Sequence, residues 1–356
     1  MGRPGVGNED ALLDPVDGGP PRRVWLRWVV VLAVTGVSLY VVLPGLLATF
    51  GDLPRLRSVR WRWFVAIAGL ESAAFFCLWQ LQRAALGVPG VFKVACSQLA
   101  GNAVSRSLPG GAAAGGVLQQ RMLIRAGLDP THVATALTAA GLMAMTTLFG
   151  LPVLAVPPLL AGEAVAPSLV KGALIGAGLF VVLVVLGTVF LAVDRVVLAV
   201  VRLAGRLVRH LPGQDALDPD ELALRLLESR TVVRKALAGS WRRAVPSAVG
   251  NQLFDVAALQ VSLVAIGGHL RPSITLLCYV AAGALSMIPL TPGGLGFVEA
   301  GLTGMLVLSG VDAGDAALAT LLYRVFSYWL PMPIGALAAV LFNRRYPRSV
   351  AVEASA

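Results

Sequence analysis

An acid and a base stand inside apolar sequence in the last fifth of this 356-residue chain. Thr291-Pro292-Gly293-Gly294-Leu295-Gly296-Phe297-Val298-Glu299 opens an apolar run that continues to residue 308. A second run, residues 316–342, carries Arg324 about a third of the way in, with Pro331 and Pro333 beyond it. A charge at bilayer depth costs at least about 2.5–3.5 kcal/mol, so it is kept where it has a partner or a wet cavity. This chemistry belongs to a membrane protein with an internal polar site.

Spacing groups the remaining polar residues. Thr320, Arg324, Ser327, Tyr328 and Pro331 recur at helical intervals and share one face. Ser247, Asn251, Asp255 and Ser262 form a second stripe, and Glu299 and Thr303 are four apart. Lipid cannot satisfy such stripes, so they turn inward. The simplest packing sets Arg324 against Glu299 or Asp255. That pair is either helix glue or the lining of a cavity for a lipid head group or a coupling proton. Glu71 reads in two ways, as an interior acid or as a side chain snorkelling from the end of its span.

The elements that must hold these groups are apolar helices. The chain is 57% hydrophobic and only 13% charged, against about 25% charged in soluble domains. Its apolar runs are continuous rather than alternating, which excludes a β-barrel. The expected fold is all-α: a polytopic transmembrane bundle of about eight spans plus a re-entrant hairpin of Pro-Gly-broken helices. The spans are read at residues 24–47, 63–86, 131–160, 168–193, 246–266, 272–290, 293–308 and 316–342. The hairpin falls between Lys93 and Arg125, interrupted by Pro109-Gly110-Gly111. Gly172 and Gly176 supply a close-packing contact within the fourth span.

Residues 1–22 read as a disordered cytoplasmic tail, residues 23–343 as a single transmembrane domain, and residues 344–356 as a basic cytoplasmic tail. Within the domain, residues 195–245 form a cytoplasmic amphipathic loop whose helix starts at Asp218-Pro219-Asp220-Glu221. Lys/Arg distribution places both termini inside. It leaves one conflict, because Arg55, Arg57, Arg60 and Arg62 then face outward. The net charge of +10 reflects arginines anchoring helix ends, not a nucleic-acid surface.

Other chemistries find no residues. Cys77, Cys96 and Cys278 form no CxxC, and His132, His210 and His269 are scattered, so neither a metal nor another cofactor is expected. Gly294-Leu295-Gly296 lacks the third glycine of a dinucleotide fingerprint, and there is no P-loop and no G-x-S-x-G. No enzyme activity is expected. An intramembrane transferase would need a positioned acid or base, and only isolated groups stand out.

Three blocks together resemble a known family: Asn102-Ala103-Val104-Ser105-Arg106-Ser107-Leu108-Pro109-Gly110-Gly111 with Gln120-Arg121, then Pro292-Gly293-Gly294 through Glu299, then Leu322-Tyr323-Arg324 with Tyr328-Trp329-Leu330-Pro331. The similarity is to the transmembrane region of lysylphosphatidylglycerol synthases and their stand-alone, flippase-like relatives. It covers most of the chain after the N-terminal tail. Family members often carry a glutamate shortly after the first Pro-Gly, whereas residues 111–120 here hold no acid. No synthase domain is read in the chain, so the resemblance implies lipid handling rather than lipid synthesis.

The resulting expectation is a multi-pass plasma-membrane protein, bacterial by resemblance, that moves an amphipathic phospholipid between leaflets through an intramembrane polar cavity. Membrane lipids, anionic or lipid-linked, are its expected partners, without nucleic acid. The alternative is a non-transporting scaffold for a lipid-linked or glycolipid pathway, with a membrane enzyme as partner. The candidate lipid-binding residues are Asn102, Arg106, Pro109, Gly110, Arg121, Asn251, Asp255, Pro292, Gly293, Gly294, Glu299, Tyr323, Arg324 and Tyr328.

Overall fold

The computed structural model describes residues 59–107, 111–155, 178, 181–182, 185, 219–286 and 294–347. The span read at 24–47, nearly all of that at 168–193 with its Gly172–Gly176 contact, the N-terminal tail, and Pro109, Gly110, Pro292 and Gly293 lie outside the described residues.

The described part is all-α, with no strand. Its helices are α1 (Trp61–Leu86), α2 (Val91–Ser107), α3 (Gly111–Arg125), α4 (Pro130–Gly150), α5 (Pro219–Ile266), α6 (Pro272–Ser286), α7 (Phe297–Leu308), α8 (Ala313–Arg324) and α9 (Pro331–Arg345). A 3-10 turn (Leu151–Ala155) extends α4, and a π-helical turn (Val325–Trp329) links α8 to α9. Among the described residues four helical stretches are long and apolar enough to cross a membrane: Trp61–Leu86, Pro130–Ala155, Gly239–Ile266 and Ala313–Arg345. Pro272–Ser286 and Phe297–Leu308 are shorter apolar helices.

Helix boundaries follow local chemistry. Asp129 caps α4 by accepting from the His132 backbone N–H at 2.8 Å, and Pro130 occupies the first turn, where a missing N–H costs nothing. Gly87 ends α1 in the left-handed region (φ 64°). The helix that the Asp218-Pro219 signal predicts begins at Pro219, as expected. It does not stop before the next span. It runs on as one 48-residue helix with Pro246 inside it. A proline deletes one hydrogen bond and crowds the preceding turn, yet Ala244 and Ala248 on either side are almost fully buried, and tertiary packing holds the helix through the break.

Lipid tails are as apolar as leucine, so helices associate in a bilayer by close packing and interhelical polar contacts rather than by hydrophobic burial. The sequence supplies small residues where this happens. In the α2–α3 hairpin a Cβ on Gly101 would lie 2.7 Å from the Gly115 carbonyl oxygen, and a Cβ on Gly115 would collide with Gly101 and Ser105. Gly335 of α9 lies against the Leu99 carbonyl and Ala103 of α2 in the same way. Along the α1–α5 contact, Gly250 faces Cys77, and the Asn251 side-chain amide donates to the Ala74 carbonyl at 2.9 Å. The core accordingly divides into three apolar clusters. One joins α1, the end of α4 with its 3-10 turn, α5, α6, α7 and α8, a second joins α1, α2, α3, α4 and α5, and the third binds α9 to the hairpin through Cys96, Ala100, Met122, Ala338 and Phe342.

Gly335→Ala is expected to lower stability by about 1–3 kcal/mol, the usual cost of overpacking. Gly304→Ala, where an added Cβ meets nothing within 4 Å, should be neutral or stabilise by up to about 1 kcal/mol. Thermal unfolding of the purified protein in detergent compares the two.

Candidate functional site

The glycines before α7 shape the acid's position. Gly294 and Gly296 have φ of 73° and 78°, a region open to glycine, and a Cβ on Gly294 would also strike Val298 at 2.7 Å. This turn delivers Glu299 into the first turn of α7, where a carboxylate suits the helix N-terminus. Gly296 has no side chain to cap the helix, so Glu299 bends back and its Oε2 accepts from the Gly296 N–H at 2.6 Å. Its other oxygen, Oε1, accepts from Nε of Arg324 on α8, also at 2.6 Å. Thr303 and Thr320, one turn along their respective helices, join hydroxyls at 3.2 Å. Of the two partners that spacing allowed for Arg324, the structure selects Glu299. Arg324 Nη2 remains buried without a hydrogen-bond partner.

Arg106 answers a different need. In an α-helix the Ser327 carbonyl would accept from residue 331, which is proline and has no N–H to give. The chain shifts into a π turn there, closed by the Leu330 N–H donating to the Val325 carbonyl at 2.8 Å. Arg106, in the last turn of α2, supplies the lost donors: its Nη1 donates to the Ser327 and Tyr328 carbonyls, each at 2.7 Å. The Tyr328 hydroxyl donates back to the Arg106 carbonyl at 3.0 Å. The guanidiniums of Arg106 and Arg324 lie 4.8 and 4.4 Å from the Tyr328 ring centroid, within cation–π range.

Asp255 of α5 is held by hydroxyls. Tyr323 donates to its Oδ1 at 2.7 Å, and the Tyr279 hydroxyl lies 2.8 Å from its Oδ2 and 2.8 Å from the Gln252 side-chain oxygen. Asp255 opens onto a cleft of about 220 Å³, partly open to the exterior. Glu71, Ala74, Phe75 and Leu78 form its α1 wall, Gln98, Asn102 and Arg106 its α2 wall, and Asn251, Asp255 and Ser327 complete it. Gln98 is fixed by accepting from the Trp79 indole at 3.1 Å. Oε1 of Glu71 and Oγ of Ser327 are buried without a hydrogen-bond partner.

The predicted residues therefore separate. Asn102, Arg106, Asn251 and Asp255 line the cleft. Glu299, Arg324, Tyr323 and Tyr328 form a bonded network beside it, and Gly294 shapes the turn that carries Glu299. Of the two readings of the Glu299–Arg324 pair, the geometry here is that of a bonded pair beside the cleft rather than among its lining residues. Arg121 does not reach the site: Gly111, Gly115 and Met122 occupy the packed face of α3, and Arg121 is exposed. Glu71, read equally as snorkelling, is only 6% exposed and sits near the middle of α1.

Sequence reasoning did not select Gln98, Gln252 or Tyr279. Tyr279 is the one hydroxyl-bearing aromatic in the apolar α6, a signal that composition masks. Residues 71, 74, 75 and 78 fall on one helical stripe behind Glu71, which would have marked the α1 wall.

If Arg106 stands in for the N–H that Pro331 lacks, Arg106→Leu should destabilise the protein by about 2–4 kcal/mol by stranding buried carbonyls. The same change in a Pro331→Ala background should cost at least about 1 kcal/mol less. A double-mutant cycle by thermal unfolding measures that coupling. Equal cost in both backgrounds would remove the proline from the explanation.

Over 178 residues the chain is 25% identical to a UPF0104 membrane protein of Pyrococcus horikoshii, covering 48% of this chain and 53% of that one. It is 32% identical over 98 residues to a UPF0104 membrane protein of Methanothermobacter thermautotrophicus, covering 27% and 28%. A third, from Methanocaldococcus jannaschii, is 38% identical over 65 residues, covering 18% and 28%. The chain thus spans about half the length of the first relative and about a quarter of the others. All three organisms are archaea. Residues 24–335 match the lysylphosphatidylglycerol synthase TM region, and with apolar helices that enclose charged residues, this multi-pass membrane protein belongs to that family.

Proposed function

We propose that this protein sits in the plasma membrane with both termini inside and moves an amphipathic lipid between leaflets, the head group passing through the cleft between α1, α2 and α5. One observation carries the reading: a partly open cleft with charged walls, set among helices long enough to cross a bilayer. Polar and ionised side chains are expensive there and mark a pathway. The size of the cleft decides what enters. Pockets that take a whole drug-sized ligand run to about 300–1,000 Å³, and this one is about 220 Å³. It suits a head group with its water, while the acyl tails stay in the bilayer.

The adjoining network supports an anionic head. Arg324 keeps one buried nitrogen uncommitted, and Arg106 presents its guanidinium at the cleft wall. A phosphate leaving the cleft on that side meets two arginines that flank Tyr328, and guanidinium is the side chain best matched to phosphate.

Proteoliposomes carrying fluorescent head-group lipids test this. The wild type is expected to exchange lipid between leaflets. Asn102→Trp, which fills the cleft without touching the Glu299–Arg324 pair, should lower the rate at least about tenfold, equivalent to about 1.4 kcal/mol on the barrier, with little change in thermal stability. Arg324→Gln should slow anionic lipids most. No exchange of any lipid by the wild type, together with co-purification of a membrane enzyme, would replace transport with a scaffold role.

A further inference from the structure

We propose that Glu71 and Asp255 act together as a proton-exchanging carboxyl pair in the membrane, loaded and unloaded through the cleft. Its consequence for transport rests on the translocation reading above; its proton chemistry does not.

The two carboxyl groups line the same small cleft, Glu71 from α1 and Asp255 from α5. Two carboxylates that share a site do not both stay ionised; one proton is held between them. A cation bonded to either carboxyl would weaken that need. Arg106 is the nearest guanidinium, and its Nη1 is spent on the Ser327 and Tyr328 carbonyls. Arg324 gives its Nε to Glu299. Among the described residues the other titratable groups facing the pair are Tyr279 from α6 and Tyr323 from α8. These are neutral donors, which orient a charge without cancelling it.

The surroundings serve both states of the pair. One hydroxyl proton on Tyr279 has two acceptors at equal distance, Asp255 and Gln252. With Asp255 ionised, the hydroxyl donates to it. With the proton on Asp255, the carboxyl donates to the Tyr279 oxygen, and the hydroxyl turns to Gln252. The Asp255 carboxyl therefore keeps hydrogen-bond partners in either state. Access comes from Glu71. It is 6% exposed, its Oε1 has no hydrogen-bond partner, and it lines the partly open cleft. A proton leaving the pair passes from Glu71 to cleft water, and one returning takes the same path, so charge and protons balance with water as the only co-reactant.

The pair also shares a neighbour with the last helix. Arg106 lines the same cleft while holding the π turn. Unloading the proton leaves two negative charges beside the guanidinium that tethers α9, which links protonation to the position of that helix.

Infrared difference titration of the protein in lipid nanodiscs reads the pair directly. The wild type should show a protonated-carboxyl band that titrates with pH, and Glu71→Gln, which keeps an amide in the same place, should abolish it. Asp255→Asn should shift its midpoint. A band unchanged in Glu71→Gln and Asp255→Asn, or none in the wild type at any pH, overturns the pair. For coupling, an imposed gradient of one pH unit should skew the final leaflet distribution up to about tenfold for one proton per lipid, and any exchange that Glu71→Gln retains, at whatever rate, should reach the same distribution with and without the gradient. Exchange indifferent to the gradient in the wild type overturns coupling. A titrating band without exchange of any lipid leaves the pair established and sinks the translocation reading instead.

Discussion

A proline-broken helix inside a membrane must find donors for the carbonyls it strands, because lipid offers none. Here that duty falls on the single guanidinium of Arg106, reaching from the end of α2 to the π turn after α8. The hairpin packs on α9 through Gly335, Leu99 and Ala103, but packing alone leaves the Ser327 carbonyl unsatisfied. The arginine makes the break in the last helix and the hairpin one structural unit. The cleft follows from it, since Arg106 and Ser327 are both part of its lining.

Three polar systems meet around this tether, each with a separate logic. The Glu299–Arg324 pair closes on itself and is completed by a backbone N–H from the glycine turn. Asp255 relies on tyrosine hydroxyls. Glu71, like Ser327, presents an unbonded oxygen at the cleft. Buried ion pairs tend to cost as much in desolvation as they return in attraction, so the first system reads as positioning for α7 and α8. The third retains unspent hydrogen-bonding capacity.

Much of this was legible in the sequence. Apolar runs gave the helical class and several span positions, the glycine-rich break separated α2 from α3, and the four-residue spacing of Glu299 and Thr303 set them on the face that meets Thr320 and Arg324. Charge at depth demanded a partner for Arg324, and spacing limited the choice to two acids. What stayed hidden depends on which helices are neighbours. Glu71 and Asp255 are 184 positions apart, and no local pattern joins them. The part played by Arg106 was coded as an absence, the amide hydrogen missing at Pro331, whose consequence appears at a residue more than two hundred positions away. Pro246 misled for the opposite reason: a local breaker was overruled by alanines packed on either side.

The length of α5 has its own mechanical meaning. Forty-eight residues at 1.5 Å each extend about 72 Å, more than twice the roughly 30 Å of hydrocarbon in a bilayer. The apolar span takes only its last 28 residues, Gly239–Ile266, so the helix that carries Asp255 continues for about 30 Å beyond that span. No loop separates that extension from the buried acid.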